Sequence, residues 1–272
     1  MAFDSPTRIR ETLHELGIQP RKKLGQNFLC DRNWIEKIVS NLTTESPLVE
    51  IGPGLGSLTL AAHDLGSTIH AIEVDPILCN HLRAILPGQR FHLVEGDAVE
   101  HPTAQVDNAE KPFQLLSNLP FAITSPWFGE LLVSGQPLPK TLFLILQKEG
   151  FERVNADVGD KGYGPVAIRM SLAYKCCEQH RIPKTSFYPQ PGVDSVFAIW
   201  HLRENPRLLT RHQANLLRDL FQNRRKILRH AFRKFVAPDK RHDWEEHLST
   251  HSFSETNRAE EIPPEVWWNL LQ

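Results

Sequence analysis

The feature that most constrains this 272-residue chain is a series of short apolar runs, each followed at once by a glycine-rich or polar motif. The runs cover residues 48–51, 69–73, 91–94, 113–116 and 142–146, and amphipathic stretches such as 57–65 and 77–86 separate the earlier ones. Strand–helix alternation at this spacing predicts an α/β fold, a mostly parallel sheet with crossover helices. In such sheets ligands gather beyond the carboxyl ends of the strands, so the chemistry is sought directly after each run.

The first run ends in Gly52-Pro53-Gly54-Leu55-Gly56, with Glu50 two residues before it. Glycines let the backbone turn sharply and approach a ligand with no Cβ in the way. Dinucleotide enzymes also use a glycine turn here. The GxGxG spacing, rather than GxGxxG, favours a nucleoside cofactor with no pyrophosphate to cradle. The second run ends in Glu73-Val74-Asp75, where an acid can accept bonds from both ribose hydroxyls; this fits NAD equally. The third ends in Gly96-Asp97-Ala98, where Asp97 is either an acceptor for an adenine amine or a helix N-cap. The fourth ends in Asn118-Leu119-Pro120-Phe121. An Asn side-chain oxygen and the next backbone carbonyl together accept both hydrogens of an exocyclic amine. The proline stiffens the loop, and the phenylalanine offers a ring on which a base can stack.

Charge is unevenly spread. Residues 1–202 hold 18 Lys and Arg against 22 Asp and Glu, residues 203–241 hold 12 against 3, and residues 242–272 hold 1 against 7. The net charge of −1 excludes a uniformly basic nucleic-acid binder but leaves room for a locally basic one. In the basic block Leu217, Leu220, Phe221, Leu228, Ala231, Phe232 and Phe235 recur at near-helical spacing, with a break around Gln222-Asn223. Between them lie Arg224, Arg225, Lys226, Arg229, Arg233 and Lys234. Such a segment is either a solvated helix face or a surface that grips a phosphate backbone, with a DNA-reading helix-turn-helix as a rival form. Glu204-Asn205-Pro206 reads as a linker. The expected domains are therefore 1–204, with an N-terminal arm and helices over 1–45, and a small helical domain over 205–272. Trp267, Trp268, Leu270 and Leu271 are expected to dock the last helix onto the latter.

Four cysteines without a CxxC pair argue against a zinc ribbon or a disulfide scaffold and for a reducing cytosol. The 13 histidines are scattered and read as surface or core residues. No apolar run approaches the ~20 residues that span a bilayer. Asp4, Glu11 and Glu15 near the start, without an apolar block, argue against a signal or transit peptide. The expectation is a cytoplasmic protein with no membrane partner.

Further blocks extend the pattern: Lys22-Lys23-Leu24-Gly25-Gln26-Asn27-Phe28-Leu29, Leu146-Gln147-Lys148-Glu149, Phe187-Tyr188-Pro189-Gln190-Pro191-Gly192-Val193-Asp194-Ser195 and Phe221-Gln222-Asn223-Arg224-Arg225-Lys226-Ile227-Leu228-Arg229. Taken in order with the four strand-end motifs, they resemble the ribosomal RNA adenine dimethyltransferase family, and within it the bacterial branch acting on small-subunit (16S) rRNA. The resemblance implies a Rossmann-like class I methyltransferase sheet with helices on both faces, plus a small C-terminal all-helical domain. It implies S-adenosylmethionine as methyl donor, S-adenosylhomocysteine as product and no metal. It places the cofactor at Asn27, Leu29, Gly52, Gly54, Glu73, Asp97, Ala98 and Asn118, and the catalytic loop at Asn118, Leu119, Pro120 and Phe121. RNA would be met by Arg21, Lys22 and Lys23 near the N-terminus and by Arg224, Arg225, Lys226, Arg229 and Arg233. The implied substrate is a pair of adjacent adenines in a hairpin near the 3′ end of 16S rRNA, within a 30S assembly intermediate, with the enzyme a monomer. The chain departs from the pattern at Phe121, where the bacterial family usually has Tyr, and at Ala122-Ile123-Thr124, where Asn-Ile-Ser is usual. The rivals are a 23S rRNA dimethyltransferase of the resistance type and a non-catalytic 30S assembly factor. An NAD dehydrogenase does not explain the Asn-Leu-Pro-Phe loop.

Overall fold

The computed structural model describes residues 3–21, 25–106, 112–224 and 226–272. The chain divides into two compact units. The first comprises Met1–Leu131, Pro137–Gly150 and Cys176–Leu202. It opens with α1 (Pro6–Glu15), β1 (Phe28–Leu29) and α2 (Arg32–Val39). The alternation then runs β2 (Leu48–Ile51), α3 (Ser57–Asp64), β3 (Ile69–Glu73), α4 (Pro76–Ile85), β4 (Phe91–Glu95), β5 (Gln114–Asn118), α5 (Phe121–Leu131) and β6 (Thr141–Gln147). After α6 (Lys148–Val154) and α7 (Pro165–Ala173) come β7 (Tyr174–Ile182), β8 (Phe187–Tyr188) and β9 (Ser195–Leu202).

The sheet has seven strands in the order β4-β3-β2-β5-β6-β9-β7. Strands β2 to β6 are parallel, with Leu48 opposite both Ile69 and Gln114. Strand β9 runs antiparallel to β6. Every residue of β2 is buried, which is why its sequence reads as an apolar run rather than an alternation. Alternate sheet residues Leu48, Ile69, Ala71, Leu116, Phe143, Ile145, Phe197 and Ile199 form one core with Ile35 and Ile38 of α2 and Leu58 and Ala62 of α3. From β2 the chain steps outward through β3 to β4, then returns to β5 on the other side of β2. Right-handed crossovers in opposite directions put their helices on opposite faces and open a crevice between the tips of β2 and β5. Strand β9 carries an apolar run over 196–200 that is not among the five runs read above, whereas β7 carries none. Strand β7 is an edge strand with mostly exposed or half-exposed residues, so little of its sequence reports burial.

The second unit comprises Leu132–Gln136, Phe151–Lys175 and Arg203–Gln272, and includes α8 (Arg211–Leu220), α9 (Leu228–Phe235), α10 (Arg241–Thr250) and α11 (Pro264–Leu270). The break anticipated near Gln222 falls between α8 and α9. Tyr163, Ile168 and Leu172 share one core with Leu217, Leu220, Phe232 and Trp267, and the Tyr163 hydroxyl donates to the Ile262 carbonyl at 2.7 Å. A single cut at 204/205 assigned 132–136 and 151–175 to the first domain. These stretches belong to the second unit because their apolar residues have their partners there.

Candidate active site

A cavity of about 180 Å³ opens at the tips of β2, β3 and β5, next to the turn after β4. All eight residues expected around the cofactor line it: Asn27, Leu29, Gly52, Gly54, Glu73, Asp97, Ala98 and Asn118. The glycine turn takes its shape from left-handed backbone. At Gly54, φ is +62°, and a Cβ would come within 3.0 Å of the Phe28 ring. The Glu73 carboxylate holds this turn by accepting from the Gly54 amide at 3.1 Å and from the Val74 and Asp75 amides at 2.9 and 3.0 Å. Burial raises the pKa of Glu73, and these backbone donors oppose the rise.

Asp97 caps a turn rather than a helix. Its Oδ1 caps the turn by accepting from the Val99 amide at 2.8 Å, while the residue stays exposed at the cavity wall. Asn118 is the last residue of β5, and its amide nitrogen donates to the Asn27 carbonyl at 2.8 Å. That bond fixes the amide orientation and leaves Oδ1 as the acceptor. The Leu119 amide donates to the Ile145 carbonyl at 3.0 Å, so the loop leaves the sheet from a fixed point. Gly25 seats the N-terminal block against this loop. Its φ is +63°, and a Cβ would meet Pro120 at 2.9 Å. Phe121 begins α5 and is 44% exposed. With Asn118, Leu119 and Pro120 it lines a small recess beside the main cavity.

Glu50 lines the cavity but was not among the expected site residues. Its carboxyl is buried, its Oε2 has no hydrogen-bond partner, and burial pushes its pKa up to about 8. A glutamate inside an apolar strand just before a glycine turn was the available signal. Three carboxylates, Glu50, Glu73 and Asp97, line the cavity, and among the described residues no Lys or Arg lines it. The antiparallel pairing of β1 with β8, Phe28 opposite Tyr188 and Leu29 opposite Phe187, joins the Gln-Asn-Phe-Leu block to the distant Phe-Tyr-Pro block.

The expected RNA-binding cations divide. Lys22, Lys23 and Arg225 lie outside the described residues. Arg21 stands 3.6 Å from Asp75. Arg224 pairs with Glu260 at 2.6 Å and donates to the Lys161 carbonyl at 2.7 Å. Arg229 pairs with Glu255. Lys226 and Arg233 are exposed. Part of the basic block is thus neutralised by the acidic residues that follow it. His247 and His251 sit four residues apart with ring centroids at 4.6 Å, but among the described residues no group of three His, Cys, Asp or Glu is placed to hold a metal. No described helix is long and apolar enough to cross a membrane.

The profile of a family described as ribosomal RNA adenine dimethylase matches residues 17–271. A ribosomal RNA small subunit methyltransferase A from Opitutus terrae is 38% identical over 269 residues, covering 97% of this chain and 96% of the relative. The Bacillus pumilus protein of the same name is 31% identical, covering 98% and 95%. Among solved structures, a dimethyladenosine transferase from Plasmodium falciparum has a TM-score of 0.66 at 24% identity, covering 88% of this chain and 94% of that one. The 23S rRNA methyltransferase ErmE has a TM-score of 0.61 at 24% identity, covering 90% and 98%. At that identity both inform the fold alone, and both support the α/β class with a C-terminal helical region.

Proposed function

The chain belongs to the ribosomal RNA adenine dimethylase family, and on that premise we propose that it methylates the N6 amines of two adjacent adenines near the 3′ end of 16S rRNA. The donor is S-adenosylmethionine, and the substrate is a hairpin in a 30S assembly intermediate. The protein acts as a cytoplasmic monomer.

The residues present fit this donor. The buried Glu50 carboxylate, with its Oε2 unpartnered, suits an ammonium group. Ser57 and Leu58, at the start of α3, put helix N-terminal amides at the cavity wall, where a carboxylate is favoured. Glu73 would take the ribose hydroxyls, and the second oxygen of Asp97 the adenine amine. Bound there, the donor supplies a methyl group already activated on a sulfonium.

The protein's task is to localise and aim a nitrogen lone pair that is delocalised into the adenine ring. Asn118 Oδ1 and the Leu119 carbonyl accept the two amine hydrogens, orient the nitrogen for in-line attack and stabilise its growing positive charge. The new N–C bond forms as the C–S bond breaks, and the N6 proton leaves to solvent. Phe121 holds the extruded base by stacking. The loss of a phenolic hydroxyl relative to Tyr leaves that face intact. Exposed cations of the C-terminal unit, Lys226 and Arg233, are the phosphate contacts. Arg224 and Arg229 contribute less because Glu260 and Glu255 already hold them.

The carrying observation is the Asn118 amide, fixed by the Asn27 carbonyl at the edge of a cavity walled by carboxylates. The test incubates the protein with labelled donor and under-methylated 30S particles, then maps the label. The expected result is dimethyladenosine at two adjacent positions of the small-subunit RNA. Label in 23S rRNA, or particle binding with no label, would overturn the assignment.

A further inference from the structure

Beside the strand-tip cavity lies a wider groove of about 790 Å³, walled by α1, residues 18–20 and 25–27, Phe121 and the segment 188–192. It is continuous with the active site: Gly25, Gln26, Asn27 and Ala122 line both. Among the described residues no acidic side chain lines it, in contrast to the carboxylate-walled cavity next door. Arg10, on an exposed position of α1, holds its guanidinium 5.7 Å from the centroid of the Tyr188 ring. Tyr188 is held in place by the β1–β8 pairing opposite Phe28. The methyl transfer described above uses neither residue. The groove's volume lies in the upper part of the range of about 300–1,000 Å³ typical of pockets that enclose a ligand.

We propose that this groove is the binding site for the nucleotide adjacent to the base being methylated, with Tyr188 stacking on that base and Arg10 meeting the connecting phosphate. The inference rests on the RNA reading above and deepens it. A base drawn out to Asn118 leaves its neighbour without its usual stacking partner. Phe121 lines both the recess beside Asn118 and the groove, so the chain leaving the target passes directly from one to the other. An aromatic ring beside a cation, in a groove whose described residues include no carboxylate, is the chemistry that holds single-stranded nucleic acid without reading its sequence. For two adjacent adenines, the one awaiting reaction stays stacked on Tyr188 while its neighbour reacts.

The test measures methyl transfer to under-methylated 30S particles for Tyr188→Ala, Arg10→Glu and Tyr188→Phe, with donor affinity determined by calorimetry for each. The KM for particles should rise about tenfold in Tyr188→Ala and Arg10→Glu, with donor affinity unchanged, and Tyr188→Phe should match wild type. If Tyr188→Ala fails to bind donor, the exposed Arg10→Glu variant decides. An unchanged KM in Arg10→Glu, or a Tyr188→Phe defect equal to that of Tyr188→Ala, would overturn the groove while leaving the methyltransferase reading standing. A wild-type protein that transfers no methyl to 30S particles would overturn both.

Discussion

Among the described residues the carboxylates at the strand tips have no cationic partner in their cavity, whereas part of the C-terminal unit's basic block is neutralised by acidic residues of the same unit. Around the cavity Glu50 keeps an unpartnered oxygen, and Glu73 meets only backbone amides. In the helical unit Arg224 and Arg229 are held by Glu260 and Glu255. An unpaired buried carboxylate is costly, so it persists where a ligand completes it. A paired surface cation has largely spent its charge on its own unit, and only its unpaired neighbours are free to meet phosphate.

The sharpest break would come at Asn118. Asn118→Ala should lower single-turnover methyl transfer about 10²–10³-fold, and a near-wild-type rate would remove the loop from the chemistry. Next comes Glu50→Gln, which should weaken donor binding about 30-fold at pH 8 by removing a buried charge partner. Wild-type affinity should rise from pH 6 towards pH 8, as the Glu50 carboxyl with its pKa of about 8 gives up its proton, and the variant's should be flat. The sign for stability is opposite. A carboxyl with a raised folded-state pKa stabilises below its unfolded value and loses that contribution as pH climbs towards 8. Ligand-free Glu50→Gln should therefore gain melting temperature relative to wild type between pH 5 and pH 8.

Phe121→Ala should raise the KM for particles about tenfold through lost stacking, and Phe121→Tyr should not. The smallest effects separate the two kinds of cation. Lys226→Glu combined with Arg233→Glu should reduce the salt dependence of particle binding by roughly one to two units of slope. Arg224→Ala should leave that slope nearly unchanged and cost about 1 kcal/mol or less of stability, read as a melting point lower by a few degrees. Equal slopes for the two sets would erase the distinction between paired and free cations.

The strand tips were legible in the sequence because buried parallel strands read as apolar runs, and the topology then places whatever follows them at one edge. Gly52, Glu73, Asp97 and Asn118 are each separated from the next by 21 to 24 residues, yet line one cavity for that reason. The pairing of Arg224 with Glu260 was not legible, since residues 36 apart meet only through tertiary packing. The composition of the second unit was hidden likewise: Tyr163 and Ile168 read as part of the α/β run, while their core partners lie beyond residue 208. Glu50 was visible as a residue, but its unpartnered Oε2 is a property of the folded cavity alone.

Equilibrium dialysis of labelled S-adenosylmethionine against the wild-type protein and Glu50→Gln, with NAD as competitor, tests the strand-tip cavity most directly. The wild type should retain the label, excess NAD should fail to displace it, and the variant should retain far less. Displacement by NAD, or equal retention by both proteins, would contradict a cavity built for a cationic methyl donor.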